Sequence, residues 1–220
     1  MKIYHGSKEI IKQPVCKGSN QENDYGPAFY LTLDFDAAKS WACKNEILGL
    51  VNIYDIDKNK FKELKILDLT NKEKYSVLNW LAILMHFRKI DPHFFITNKE
   101  SIEWLKKYYI DVDCYDVIVG FRADDSYFRF PLSFINNSLA FEDLEYVFKL
   151  GKLGIQYAFI SEKALNLLKF KKSVECEESF IGDYYSKISE ATKVFNELVH
   201  RPKSISKHYI IDLMRQEKNE

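Results

Sequence analysis

The segment from Tyr25 to Ala42 constrains this chain more than any other. Gly26-Pro27 imposes a turn, because glycine reaches backbone angles closed to other residues and proline holds its own φ fixed. Phe29 to Leu33 is a short aromatic run that reads as a strand. Asp34 then stands before the helical run Phe35-Asp36-Ala37-Ala38-Lys39-Ser40-Trp41-Ala42, where its carboxylate can accept from a free amide of the first turn. Turn, strand and capped helix in succession put Tyr30 and Trp41 on adjacent elements. Two rings facing across a gap form a slot for a flat, electron-poor ring. Packing of both rings into a core is the alternative reading.

Around that segment, Lys2–His5 reads as a strand closed by Gly6-Ser7, and residues 8–27 as a polar surface loop. Gly49–Asp57 and Leu64–Leu69 read as strands. Thr70 or Asn71 is expected to cap a helix reaching about Lys89, whose apolar positions recur at helical spacing. Asp91-Pro92 breaks the pattern, and Asn98 caps a further helix to Tyr109. Tyr115–Phe121 is a buried strand, Arg122–Phe130 a turn into another strand, and Leu139–Leu150 a helix ended by Gly151. Gln156–Ser161 is a strand, Glu162–Leu168 a short helix and Lys169–Glu178 a last strand. Two helical patterns follow, Tyr184–His200 and Ser204–Arg215, split by Arg201-Pro202. Strands and helices alternate without a βαβ rhythm, so the fold class is α+β. Residues 1–182 are expected to form one domain, with 183–220 a helical extension packed on it; the apolar residues Ile188, Ala191, Phe195, Leu198 and Val199 could alternatively bind a partner.

Lys plus Arg equals Asp plus Glu at 32 each, so no overall positive field draws the chain to nucleic acid or membrane. The four cysteines make no CxxC pair, and the other histidines (His86, His93, His200, His208) lack ligand spacing, so no metal is expected. The amino-terminal MKIYHGS carries no apolar signal region, and no apolar run spans a bilayer, so the expected location is the cytoplasm, with reduced thiols.

Three segments together carry a resemblance: Tyr4-His5-Gly6-Ser7, Tyr25-Gly26-x-x-Phe29-Tyr30 and Ala37-Ala38-Lys39-Ser40-Trp41-Ala42. They resemble the ADP-ribosyltransferase superfamily, most closely its diphtheria-toxin and poly-ADP-ribose-polymerase branch, marked by a His, Tyr, Glu triad. The eleven positions from Tyr30 to Trp41 match that branch's interval between two nicotinamide-stacking rings. The whole chain also looks like members of an uncharacterised bacterial family of the superfamily, often small stand-alone cytosolic chains encoded beside short partner genes.

The resemblance implies split antiparallel sheets with flanking helices, and NAD bound between them as a substrate. His5 would donate to the adenosine-side ribose, Gly6 would clamp the nicotinamide carboxamide with its backbone, and Ser7 matches in type. Tyr30 and Trp41 would stack on the two nicotinamide faces. The third triad position falls in Gly154-Ile155-Gln156-Tyr157, where the family's Glu is Gln156. An amide keeps the hydrogen bond to the ribose but brings no charge to a glycosyl-transfer transition state, a loss of roughly 3 kcal/mol. Asp124 and Asp125 are candidates to replace that charge, and Arg122 to meet the NAD pyrophosphate or an acidic acceptor. The implied activity is mono-ADP-ribosyl transfer to a protein or nucleic acid by a toxin-like effector, held in check by a small antitoxin protein. A catalytically silent NAD- or partner-binding module on the same fold is the alternative.

Overall fold

The computed structural model describes residues 1–16, 21–44, 47–123, 129–150 and 154–218. In chain order the elements are β1 (Lys2–Ser7), β2 (Phe29–Leu31), α1 (Phe35–Ala42), β3 (Leu50–Asp55), α2 (Lys58–Lys62), β4 (Ile66–Asp68), α3 (Val77–Phe87), α4 (Pro92–Thr97), α5 (Lys99–Leu105), β5 (Val117–Phe121), α6 (Arg129–Ile135), α7 (Phe141–Lys149), β6 (Ile155–Phe159), α8 (Glu162–Leu165), β7 (Lys169–Glu175), α9 (Asp183–Val199) and α10 (Ile210–Lys218).

The fold is α+β. Among the described residues seven strands form two sheets, β1-β3-β7 and β2-β6-β5-β4. The first is antiparallel throughout. The second departs from the expected antiparallel pattern, because β5 lies parallel to β4 and is reached from it through the long connection that carries α3 to α5. The two sheets touch where β1 passes the end of β2. There Tyr4 and Thr32 exchange a pair of 2.9 Å backbone hydrogen bonds.

Local chemistry explains the element boundaries. The Asp34 carboxylate accepts from the amides of Asp36 and Ala37 and starts α1. The start of α3 is not at Thr70 or Asn71. Ser76 caps it, accepting from Leu78, while the Asn79 side chain returns to the Ser76 amide in a reciprocal box. Asp91-Pro92 opens α4 rather than ending the helical region: Asp91 accepts from Phe94, and a proline at the first helical position loses no intrahelical bond. Arg129 and Phe130 begin a helix, α6, and not a strand. Pro131 fits there because the first turn has no partner for its missing amide.

The main core surrounds α3, whose residues Trp80, Leu81, Ile83 and Leu84 are all buried. Helix α3 is apolar nearly all round, as a helix covered on every side must be. Each such side chain contributes about 1.5–3 kcal/mol by leaving water. Ala191 and Phe195 of α9 and Ile210 of α10 join the same core, and Ile188, Leu198 and Val199 pack against it. Glu217 fastens α10, accepting from Trp104 Nε1, Lys107 Nζ and the Tyr108 hydroxyl. Lys169–Glu175 is an edge strand, with Lys171 paired to Asp55 at 3.2 Å. No helix among the described residues is long and apolar enough to cross a membrane.

Candidate functional site

Sheet register brings the distant residues of the site together. Tyr30 on β2 lies opposite Ala158 on β6, and Ala158 stands two positions from Gln156. Side chains two apart share a face, so Tyr30 and Gln156 project from the same side of their sheet. His5 comes from β1 of the other sheet, beside the Tyr4–Thr32 junction. Helix α1 lies across β1 and brings Trp41 to the rim. A cavity of about 540 Å³ results, lined among others by His5, Gly6, Tyr30, Trp41, Arg122 and Gln156. Ser7 is not part of it. Its hydroxyl donates to the Glu9 carbonyl and accepts from the buried Asn52, fastening the loop after β1. Asp124 and Asp125 lie outside the described residues.

Gly6 is required for a reason other than a ligand's approach. A Cβ there would lie 2.1 Å from the Ala38 carbonyl oxygen and 2.9 Å from the Ala42 amide, both backbone of α1. The glycine lets the helix rest on the strand, and Trp41 is placed by that contact. Gly26 takes φ +73°, the left-handed turn conformation that the Gly-Pro reading needs.

His5 Nδ1 is 2.7 Å from the Tyr30 carbonyl, which can only accept, so Nδ1 carries the proton. Burial, aided by the nearby Arg122 charge, lowers its pKa to about 4 against a hydrogen bond that works the other way. At neutral pH the ring is therefore uncharged and its Nε2 is an acceptor. The expected donation to a ribose hydroxyl is reversed: the ring would receive a hydroxyl proton in a hydrogen bond. The ring also lies against Phe29, with centroids 4.3 Å apart.

Tyr30 is locked at its far end. Its hydroxyl donates to the Gly26 carbonyl at 2.7 Å and accepts from the Tyr25 amide. Burial raises its pKa, so it stays a phenol. Tyr25 stacks beside it, centroids 6.5 Å apart at 19°. Among the described residues no ring contact joins Tyr30 to Trp41, so the two rings share a cavity without forming a closed sandwich. The face of Trp41 instead carries the Arg122 guanidinium, 3.3 Å from the ring centroid, and its edge meets Tyr184 of α9. Arg122 thus contacts the aromatic surface expected to take a nicotinamide, and shows that this face accepts a flat, delocalised cation.

Sequence reasoning missed Asp24 and Arg88. Asp24 is 6 % exposed and lines the cavity. One of its oxygens faces Arg88 Nε at 3.2 Å. The other accepts from the Ala123 amide at 2.8 Å and from Gln156 Nε2 at 2.7 Å. Burial raises the Asp24 pKa, while Arg88 and the two hydrogen bonds oppose that rise. All three partners are donors, and a protonated carboxyl would need an acceptor, so the surroundings are built for the anion. Arg88 is fixed in turn by its donation to the Ala123 carbonyl at 2.5 Å. The sequence held one usable signal, an acidic residue directly before the Tyr25-Gly26 turn. A carboxylate thus sits beside Gln156, supplied by the loop ahead of the turn.

Among the described residues no group of three or more His, Cys, Asp or Glu side chains could hold a metal ion. No curated protein and no solved structure matches the chain. One family model does, over residues 1–170, which includes every residue of the cavity and ends inside β7, before α9 and α10. The chain belongs to the family described as "Protein of unknown function (DUF3990)".

Proposed function

We propose that this cavity binds NAD and that the protein is a mono-ADP-ribosyltransferase of the ADP-ribosyltransferase type, acting as a toxin-like effector on a protein or nucleic-acid acceptor. The observation that carries this reading is convergence. Residues 5, 6, 30, 41 and 156, all marked by the resemblance, line with Arg122 a single cavity of about 540 Å³ at the junction of two sheets, and of the marked residues only Ser7 lies apart. That volume suits a ligand of dinucleotide class. Trp41 would take the positively charged nicotinamide where Arg122 now lies, with Tyr30 on the opposite wall. Neutral His5 would accept from a ribose hydroxyl through Nε2, and Arg122 would turn to the pyrophosphate as it leaves Trp41.

In the transfer, the bond between ribose C1′ and the nicotinamide nitrogen breaks with both electrons going to nitrogen, which neutralises the nicotinamide. Positive character develops on the ribose, the acceptor's nucleophile bonds to C1′, and the acceptor's proton is released. Gln156 would hold the ribose during this change, and the Asp24 carboxylate beside it supplies negative charge near the developing cation. A small antitoxin protein as partner and a cytoplasmic location belong to the same reading. The uncharged Gln156 favours a second one, a module that binds NAD without turnover.

Calorimetric titration with NAD tests the reading, comparing wild type with His5→Ala and Trp41→Ala. Micromolar binding that both variants lose supports it, and release of nicotinamide from bound NAD separates transferase from silent module. Absence of NAD binding by the wild type refutes it.

A further inference from the structure

Gln156 is 4 % exposed, and its amide has a defined orientation. Its nitrogen donates to Asp24 Oδ2 at 2.7 Å and to the Phe121 carbonyl at 3.2 Å. Both neighbours can only accept, so the amide cannot be turned the other way round without losing both bonds. Its two N–H groups are then used. The remaining polar atom, Oε1, receives no hydrogen bond from any described residue, although the side chain lines the cavity. An amide whose nitrogen is taken up by protein acceptors and whose oxygen is not shut away from the cavity suits a ligand that presents a donor.

Asp24 does more than fix the flip. A carboxylate on the nitrogen side of an amide favours the resonance form with positive nitrogen and negative oxygen, so Oε1 becomes a stronger acceptor than that of an isolated glutamine. Arg88 holds the carboxylate, Asp24 holds the amide, and the amide presents an oxygen enriched in electron density.

We propose that Asp24 is a positioning residue that makes Gln156 a fixed acceptor for a sugar hydroxyl, the pair together standing in for one carboxylate in the site. The inference rests on the NAD reading above, and places the hydroxyl on the ribose that bears the nicotinamide.

The test compares calorimetric binding of NAD with that of NAD lacking the 2′-hydroxyl on the nicotinamide ribose. Wild type, Asp24→Asn, Gln156→Met and the Asp24→Asn/Gln156→Glu double variant are each titrated, and each is checked for a cooperative melt. Wild type should bind NAD about tenfold more tightly than the deoxy compound. Gln156→Met should bind the two equally. Asp24→Asn should lose most of the preference, because an asparagine in place of Asp24 offers an amide N–H of its own and no longer dictates the flip. The double variant moves the carboxylate to position 156 and should regain at least tenfold preference. That recovery is a result which a merely structural Asp24 would not produce, and it stands even if Asp24→Asn alone folds poorly. A wild type that binds both compounds equally well overturns the inference while leaving the NAD reading intact. A folded Asp24→Asn with undiminished preference, or a folded double variant without any, overturns it too. A wild type that binds neither refutes the NAD reading itself.

Discussion

Acidification should weaken the fold through His5, by an amount set by its surroundings. In the unfolded chain the imidazole takes up a proton near its ordinary value of about 6.5. In the fold, burial holds the pKa down to about 4. Between those values the unfolded chain binds a proton that the native state refuses, so stability rises with pH. The contribution is complete above pH 6.5 and is lost as pH falls below it. From the two pKa values the loss is about 2 kcal/mol at pH 5 and about 3 kcal/mol at pH 4. Carboxylates contribute their own acid sensitivity, so a non-titrating reference is required. His5→Asn serves, because its amide can still donate to the Tyr30 carbonyl. Losing the ring's contact with Phe29 offsets the variant equally at every pH, so only the slope matters. Urea unfolding followed by circular dichroism at several pH values between about 7.5 and 4 gives both curves, with m-values confirming a common transition. Wild type should lose about 2 kcal/mol more than His5→Asn between pH 7.5 and pH 5. A difference that changes by less than about 0.5 kcal/mol over that interval would refute the assignment of a half-buried, neutral His5.

Arg88→Met should cost about 3–5 kcal/mol at neutral pH, because it leaves the Asp24 anion buried without its counter-charge. The cost should shrink as pH falls, because burial already raises the Asp24 pKa and a proton can then replace the counter-charge, and denaturant melts at neutral and acidic pH read this. Gly6→Ala forces β1 from α1, with an expected loss of about 1–3 kcal/mol or more, and a shift in Trp41 fluorescence should report the displaced helix. Asp34→Ala removes two cap hydrogen bonds and should lower stability by about 1 kcal/mol, measured as a lower urea midpoint with unchanged m.

Helix α1 is legible in the sequence because its signals are local: Asp34 sits directly before the run it caps, and the Tyr30–Trp41 interval counts along a strand and a helix. The same locality explains the errors. Thr70, Asn71 and Ser76 are all acceptable caps, and Thr70 even has Glu73 at the box position, yet it is Ser76 and Asn79 that close the box once α3 packs into the core. Asp91-Pro92 carries the chemistry of a helix start and reads as a stop because proline serves at both ends of helices. Phe128-Arg129-Phe130 alternates like a strand, yet Phe130 is buried against Phe195 of α9, a contact that propensity cannot foresee. The inner wall of the site is illegible for a stronger reason. Asp24 and Gln156 are 132 positions apart, and the bond between them exists only once β5, β6 and the loop ahead of the turn have assembled.

The junction of the two sheets has a mechanical consequence. His5 belongs to one ladder and Tyr30 and Gln156 to the other, and the backbone continuity between them is the Tyr4–Thr32 pair of bonds. A sheet resists separation because many bonds must break in concert, whereas two bonds break almost singly. Buried packing of Ile3 and Tyr54 against Phe29, Val117 and Phe159 holds the halves together, so the seam's hydrogen bonds, with His5 Nδ1 to the Tyr30 carbonyl beside them, can open without loss of either ladder. Amide exchange at Tyr4 and Thr32 would then be fast against the interiors of β3 and β5, and a ligand gripping both halves would slow it.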